Sequence, residues 1–189
     1  GLVYTRDYPA TGASAAMLEE YARFPLFSTV GIDSSFYGPP TPKTLQSWAK
    51  SLPTGFKCVS KVWDRITVHT FAEAREKHRA GERNPDFLNA ELFASDVWTP
   101  YQTHFAGHMG PFVFEFQTIA RKDAVSPQAF ADQLDSFLGK LPPEGEYGVE
   151  VRMAPANYFG ARWVSADDEA ELRRFCDGNR DKLATDAAN

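Results

Sequence analysis

The sequence predicts an α/β fold of repeated strand–helix units around a parallel sheet, and three observations carry that reading. Apolar runs recur roughly thirty to fifty residues apart along the chain. Each is accompanied by a segment of helical periodicity, several of which open on a capping residue. The run Pro111 to Phe116 is apolar almost throughout, as suits a parallel strand covered on both faces.

The elements follow in order. Ser14 to Phe24 reads as a short helix with Met17, Leu18 and Tyr21 inward. Phe27 to Phe36 reads as the first strand run. It leads through Gly38-Pro39-Pro40 to a helix capped by Thr41, with Pro42 at its first position and Leu45, Trp48, Ala49 and Leu52 on one face. Pro53 ends that helix. The second run, Phe56 to Val62, alternates Phe56, Cys58 and Ser60 against Lys57, Val59 and Lys61. The third is Pro111 to Phe116, followed by a helix from a Ser126 cap carrying Phe130, Leu134, Phe137, Leu138 and Leu141, ended by Pro142 and Pro143. The fourth run is Tyr147 to Arg152, and a last helix is expected from Ser165 through Leu172, Phe175 and Cys176. Arg65 to Gly110 is the irregular part, with helical pieces expected near Phe71 to Arg79 and Asp86 to Ala94.

Composition narrows the classes. The chain has 189 residues, 43% hydrophobic and 14% aromatic, enough to build one core and to offset the entropy of ordering it. A single domain over residues 1–189 is expected. Twenty Lys+Arg against 25 Asp+Glu leave a net charge of −5, which disfavours non-specific nucleic-acid binding but permits a local basic groove. The basic stretch Arg75 to Arg83 interleaves Glu76 and Glu82 and reads as a solvated face. Cys58 and Cys176 read as buried, reduced thiols. With no signal peptide and no long apolar span, a cytoplasmic chain without a membrane segment is expected.

In parallel α/β folds, ligand-binding groups gather beyond the carboxyl ends of the strands. That rule selects Asp33, Ser35 and Tyr37 after the first run, Lys57 and Lys61 on the second, Glu115 and Gln117 on the third, and Glu150 and Arg152 on the fourth. Glu150 and Arg152 share a face by strand alternation and could form an ion pair that holds an anionic or hydroxyl-rich ligand. Glu115 follows an uncharged run and requires a partner, for which Lys61 or Arg152 is the natural choice. Two carboxylates on adjacent strands, Glu115 and Glu150, could act as acid and base or share a divalent metal. His69 is expected to face a strand-end pocket as a ligand or proton-transfer group. His104 and His108 stand four apart, a spacing that would suit a metal on a helix that Gly107 and Gly110 weaken. Aromatic residues Tyr37, Trp63, Trp98, Tyr101, Tyr158 and Trp163 fall in expected loops, where they could stack on sugars or bases or close the core. The chain has no GxGxxG, no GxxxxGK[ST], no GxSxG and no CxxC motif.

Taken together, GIDSSFYGPPTPKTLQSW (Gly31 to Trp48), LPTGFKCVSKVWDRITVH (Leu52 to His69), GPFVFEFQ (Gly110 to Gln117) and YGVEVR (Tyr147 to Arg152) resemble the YecE-like family, domain of unknown function seventy-two. The resemblance implies a TIM-barrel-like (β/α) parallel barrel. It aligns Ser35, Phe36 and Tyr37 with the family's Ser-x-Phe-Tyr element, Lys61 with the strand lysine, His69 with the Ile-Thr-His histidine, and Glu150 with Arg152 as the glutamate–arginine strand. Asp33 replaces the usual asparagine, and Val68 interrupts Ile-Thr-His. The family's opening Gly-Thr-Ser-Gly-Trp strand and its final strands have no counterpart here, so an incomplete barrel is expected.

Two functions follow from these residues. One is a hydrolase or isomerase acting on a phosphorylated or carbohydrate-like small molecule. Glu150 and Glu115 would be acid and base or metal ligands, Lys61 and Arg152 would neutralise anionic charge, and His69 would move a proton. The other is a noncatalytic ligand-binding or scaffold protein in which the same charges form structural ion pairs.

Overall fold

The computed structural model describes residues 3–9, 12–71, 77–117, 119 and 126–151. Its described strands form one four-stranded sheet in the order β1-β2-β3-β4, with β1 (Thr29–Ile32), β2 (Lys57–Lys61), β3 (Met109–Phe116) and β4 (Tyr147–Val151). β1 runs parallel to β2 with Thr29 opposite Lys57 and Ile32 opposite Ser60, and β2 runs parallel to β3. The expected parallel α/β core is therefore present, and it corresponds to part of a TIM-barrel-like arrangement.

The β2–β3 register slips by one residue: Cys58 faces Met109, but Ser60 faces Phe112. Gly110 and Pro111 thus oppose Val59 alone. Proline has no N–H for the ladder, which accounts for a bulge at this place. A side chain on Gly110 would bring its Cβ to 2.8 Å from the Cys58 carbonyl oxygen, so the close approach of the two strands needs glycine.

The helices show why their sequences form them. In α2 (Pro42–Ser51) the Thr41 side chain accepts from the Thr44 N–H, Pro42 occupies the first turn, and Leu45 and Trp48 are buried. Leu52, the residue before Pro53, leaves the helix for an extended conformation (φ −93°, ψ 140°), as the proline ring demands. The Trp48 indole N–H donates to Ser14 Oγ at 3.2 Å and ties α2 to α1 (Ser14–Ala22). α6 (Pro127–Leu138) repeats the device, with Ser126 Oγ accepting from the Ala129 N–H.

Three expectations shift. The first apolar run is a strand only as far as Ile32, and Asp33–Tyr37 turn into a single 3-10 helix. Ser35 Oγ lies 2.6 Å from the Ile32 carbonyl, a local bond that competes with continued pairing. The helix expected near Asp86 to Ala94 begins later, at α4 (Ala90–Leu92), and runs on through a π-helical turn (Phe93–Trp98) into α5 (Thr99–Phe105). Leu88 has φ 55°, a left-handed conformation that no helix interior accommodates. The widened turn directly precedes Pro100, which lacks the N–H a regular turn would use. After β2 the chain makes α3 (Asp64–Thr67), and Lys77–Arg79 form a short 3-10 turn. The helix from Ser165, Cys176, Tyr158 and Trp163 lie outside the described residues.

The chain divides into two compact units. The first comprises Gly1–Asp64, Glu91–Phe114 and Pro142–Tyr147. At its centre Phe112 is ringed by Phe93, Trp98 and Tyr101, with centroid distances of 5.5, 5.9 and 5.1 Å. The second comprises Arg65–Ala90, Glu115–Leu141 and Gly148–Asn189. There Phe116 packs on Phe130 at 5.5 Å, with Leu134 and Phe137 buried along α6 and Leu141 buried just beyond its end. Among the described residues, no helix is long and apolar enough to cross a membrane.

Candidate functional site

Within the first unit, the carboxyl ends of β1 and β2 bring Asp33, Ser35 and Lys61 together. Strand pairing sets Ile32 beside Ser60, so the residues that follow each strand emerge side by side. Lys61 Nζ lies 3.7 Å from Asp33 Oδ1; the lysine side chain is 18% exposed and the aspartate 78%. A mostly covered ammonium beside a solvated carboxylate leaves the carboxylate free to rotate into water. An incoming anion could then take its place on the lysine. Ser35 is buried, and its hydroxyl proton is shared between the Ile32 and Lys61 carbonyls, each 2.6 Å away. Ser35 thus fixes the Lys61 backbone. Tyr37, on the same 3-10 helix, is 67% exposed and packs edge-on against Phe36 at 5.5 Å.

Behind this corner lies a group that sequence reasoning placed in a loop. Tyr101 is on α5 and 1% exposed, and its hydroxyl makes no hydrogen bond of ordinary geometry among the described residues, although the Ser60 and Ser35 hydroxyls lie close to it. Burial raises its pKa, while the Ser60 and Ser35 hydroxyls oppose the rise. No periodicity announces such a residue, because a tyrosine and a phenylalanine satisfy the same apolar pattern. Trp98 is buried in the same way.

In the second unit, Glu115 is buried at the end of β3, whereas Gln117, two residues on, is exposed. Glu150 is half-buried on β4. Its expected partner Arg152 lies outside the described residues. His69 is 7% exposed, hydrogen-bonds through Nδ1 to Thr70 Oγ1 at 3.0 Å, and stands edge-on to Phe87 at 5.1 Å. It follows α3 rather than β2 directly. The segment that carries it is organised by Asn84, a residue the sequence did not single out. Its amide donates to the Arg65 and Val68 carbonyls at 2.6 and 2.7 Å, and its oxygen accepts from the Asp86 N–H at 3.0 Å. Arg65 Nε meets Asp86 Oδ2 at 2.6 Å across the same segment.

The remaining histidines separate. Gln46 Nε2 donates to His104 Nδ1 at 3.2 Å, while buried His108 donates from Nδ1 to the Phe56 carbonyl at 2.9 Å. The helix breaks between them, since Phe105 has φ −140°, so the four-residue spacing does not align them on one face. Among the described residues, no three His, Cys, Asp or Glu side chains gather where they could hold a metal ion. Cys58 is buried within β2, and burial pushes its thiol up to about 12.

These features define a mixed α/β protein whose parallel sheet resembles part of a TIM barrel, with polar residues beyond its strand ends. Residues 3–179 match the family described as "Protein of unknown function DUF72", and the chain belongs to that family. Two crystal structures of a DUF72 family protein from Enterococcus faecalis V583 have the same fold. One aligns with a TM-score of 0.53 at 18% identity over 88% of this chain and 57% of that chain. The other gives 0.52 at 17% identity over 86% and 50%. A separate, local likeness joins 44 residues to Peptide chain release factor 3, at 57% identity in Nitrosomonas europaea and 46% in Bordetella pertussis. That segment is 23% of this chain and 8% of those proteins, so this chain spans only a small part of their length.

Proposed function

We propose that the chain binds a phosphorylated or carbohydrate-like small molecule at the carboxyl ends of β1 and β2, and hydrolyses or isomerises it. The observation that carries this reading is the Lys61 side chain, 18% exposed, whose ammonium lies 3.7 Å from the Oδ1 of a solvated Asp33 carboxylate. An ammonium in that setting meets a phosphate as a compact point charge. Ser35 holds the lysine backbone from below, and Tyr37 offers an exposed ring for a sugar face. Glu115 and Glu150 are proposed for acid and base roles, Gln117 and Arg152 as binding groups and His69 as a proton-transfer group, on the sequence argument alone.

The test is calorimetric titration of the chain with glucose 6-phosphate, glucose and inorganic phosphate, paired with phosphate-release and sugar-isomerisation assays. The phosphorylated sugar should bind, and Lys61→Met should weaken it by about tenfold or more, the loss of one charge-assisted contact. Glu150→Gln should abolish turnover while leaving that binding in place. Equal affinity in Lys61→Met, with only a lower melting temperature, would assign the Asp33–Lys61 pair to structure and overturn the reading.

A further inference from the structure

A cavity of about 390 Å³ opens at the other end of the strands from Asp33 and Lys61. It lies wholly within the first unit and is lined from the starts of β2 and β3 and from the residues leading into β4. Its volume falls within the roughly 300–1,000 Å³ of small-molecule sites. Two of the residues that line it are glycines, Gly110 and Gly145. Gly110 cannot carry a side chain beside the Cys58 carbonyl, and a Cβ on Gly145 would collide with the Tyr147 hydroxyl and come 2.9 Å from the Trp98 ring. A Cβ at either position meets atoms already in place, so both glycines are required by the close packing beside the cavity.

The walls sort by charge. Lys57 stands on the β2 side, and Glu144 and Glu146 stand on the β4 side. β3 runs between them, so the two sides are about two strand spacings apart, roughly 10 Å. The Phe112 N–H donates to the Glu146 carbonyl at 2.9 Å and fixes the acidic wall to β3. Between the walls lie the Trp98 indole, Met109 and Pro111, an apolar strip. Among the described residues, Lys57, Glu144 and Glu146 form no ion pair. One ammonium and two carboxylates give these walls a net charge of −1.

We propose that this cavity binds a free basic amino acid, of which L-lysine is the simplest case. Its carboxylate meets Lys57, its two ammonium groups meet Glu144 and Glu146, and its methylene stem crosses Trp98, Met109 and Pro111. A ligand of net charge +1 with one anionic and two cationic groups matches the walls group for group. A phosphorylated sugar does not, because two carboxylates repel it. This site is independent of the one at Asp33 and Lys61.

The test is isothermal titration of the chain with L-lysine, Nε-acetyl-lysine and cadaverine, the last two lacking one ammonium charge and the carboxylate respectively. L-lysine should bind saturably, and each analogue should bind weaker by about tenfold or more. Lys57→Gln should abolish the preference for lysine over cadaverine and leave the preference over Nε-acetyl-lysine. The double variant Glu144→Gln, Glu146→Gln should do the reverse. Lys57, Glu144 and Glu146 are all exposed, so these variants keep the fold, which circular dichroism checks. Absence of saturable lysine binding, or unchanged preferences in the variants, would overturn the proposal.

Discussion

Replacing Asn84 with alanine tests the claim that one buried amide organises the segment around His69. Asn84 is 2% exposed, and its side chain makes hydrogen bonds of 2.6, 2.7 and 3.0 Å with the Arg65 and Val68 carbonyls and the Asp86 N–H. A net hydrogen bond contributes about 1 kcal/mol, so losing all three removes about 3 kcal/mol. The loss grows toward about 5 kcal/mol if the freed backbone groups stay away from water, because each then keeps its full desolvation penalty. Urea unfolding followed by tryptophan fluorescence gives the free energy, and hydrogen exchange resolved over residues 65–90 gives its location. Protection should fall first in that segment. Asn84→Asp is a sharper variant: it keeps the acceptor for Asp86 but turns a carboxylate toward two carbonyl oxygens. It should be at least as destabilised as the alanine variant at pH 7 and partly relieved near pH 5, where a protonated acid can donate. A loss below about 1 kcal/mol in Asn84→Ala would refute the reasoning, since it would mean that water or neighbouring backbone replaces those bonds at no cost.

Two further outcomes are expected. Tyr101→Phe removes a buried hydroxyl whose approaches to Ser60 and Ser35 fall short of ordinary hydrogen-bond geometry, so stability should hold or rise by up to about 1 kcal/mol in thermal or urea unfolding; a comparable loss would show that those serines satisfy it. Glu20 accepts hydrogen bonds from the Thr5 hydroxyl, the Tyr8 hydroxyl and the Thr5 N–H, which lower its carboxyl to about 2. A depressed folded-state value means that the stabilisation is complete above the unfolded carboxyl range near 4.3 and is lost as pH falls toward about 2. A carboxyl-resonance titration by NMR should therefore place Glu20 near that low midpoint, and a midpoint in the ordinary range would show that the clasp does not persist in solution.

Much of the fold was legible because it rests on repulsions and periodicities that are local. Thr41-Pro42 and Ser126-Pro127 start helices where capping chemistry requires, and Leu52-Pro53 stops one for the same steric reason in sequence and structure. The alternation of Cys58 and Ser60 against Lys57, Val59 and Lys61 survives as burial on β2. What escaped was decided by contacts distant along the chain. Ser35 is selected as a strand-end polar residue, but its partner, the Lys61 carbonyl 26 positions away, shows only in the fold. Asn84 lies in a stretch without periodicity, and its three partners are carbonyls and an N–H that every sequence possesses. The cavity between Lys57 and Glu144 was equally silent, since its lining comes from segments far apart in the chain that only the fold brings together. His104 and His108 misled for the opposite reason: their spacing assumes a regular helix that ends between them.

The slip at Gly110 and Pro111 has a consequence for how this sequence tolerates change. Side chains along a strand alternate strictly, so a single extra residue inverts the parity of everything beyond it. With the insertion in place, Phe112, Phe114 and Phe116 share one side of β3, and Val113 and Glu115 share the other. Removing one residue at the bulge while keeping the pairing of Cys58 would exchange these two sets. Three rings would then leave the places they fill, and the Glu115 carboxylate, buried on the opposite side, would be turned into theirs. Length at this point is as constrained as chemistry, and a one-residue deletion here should be far more damaging than any single substitution on the same strand.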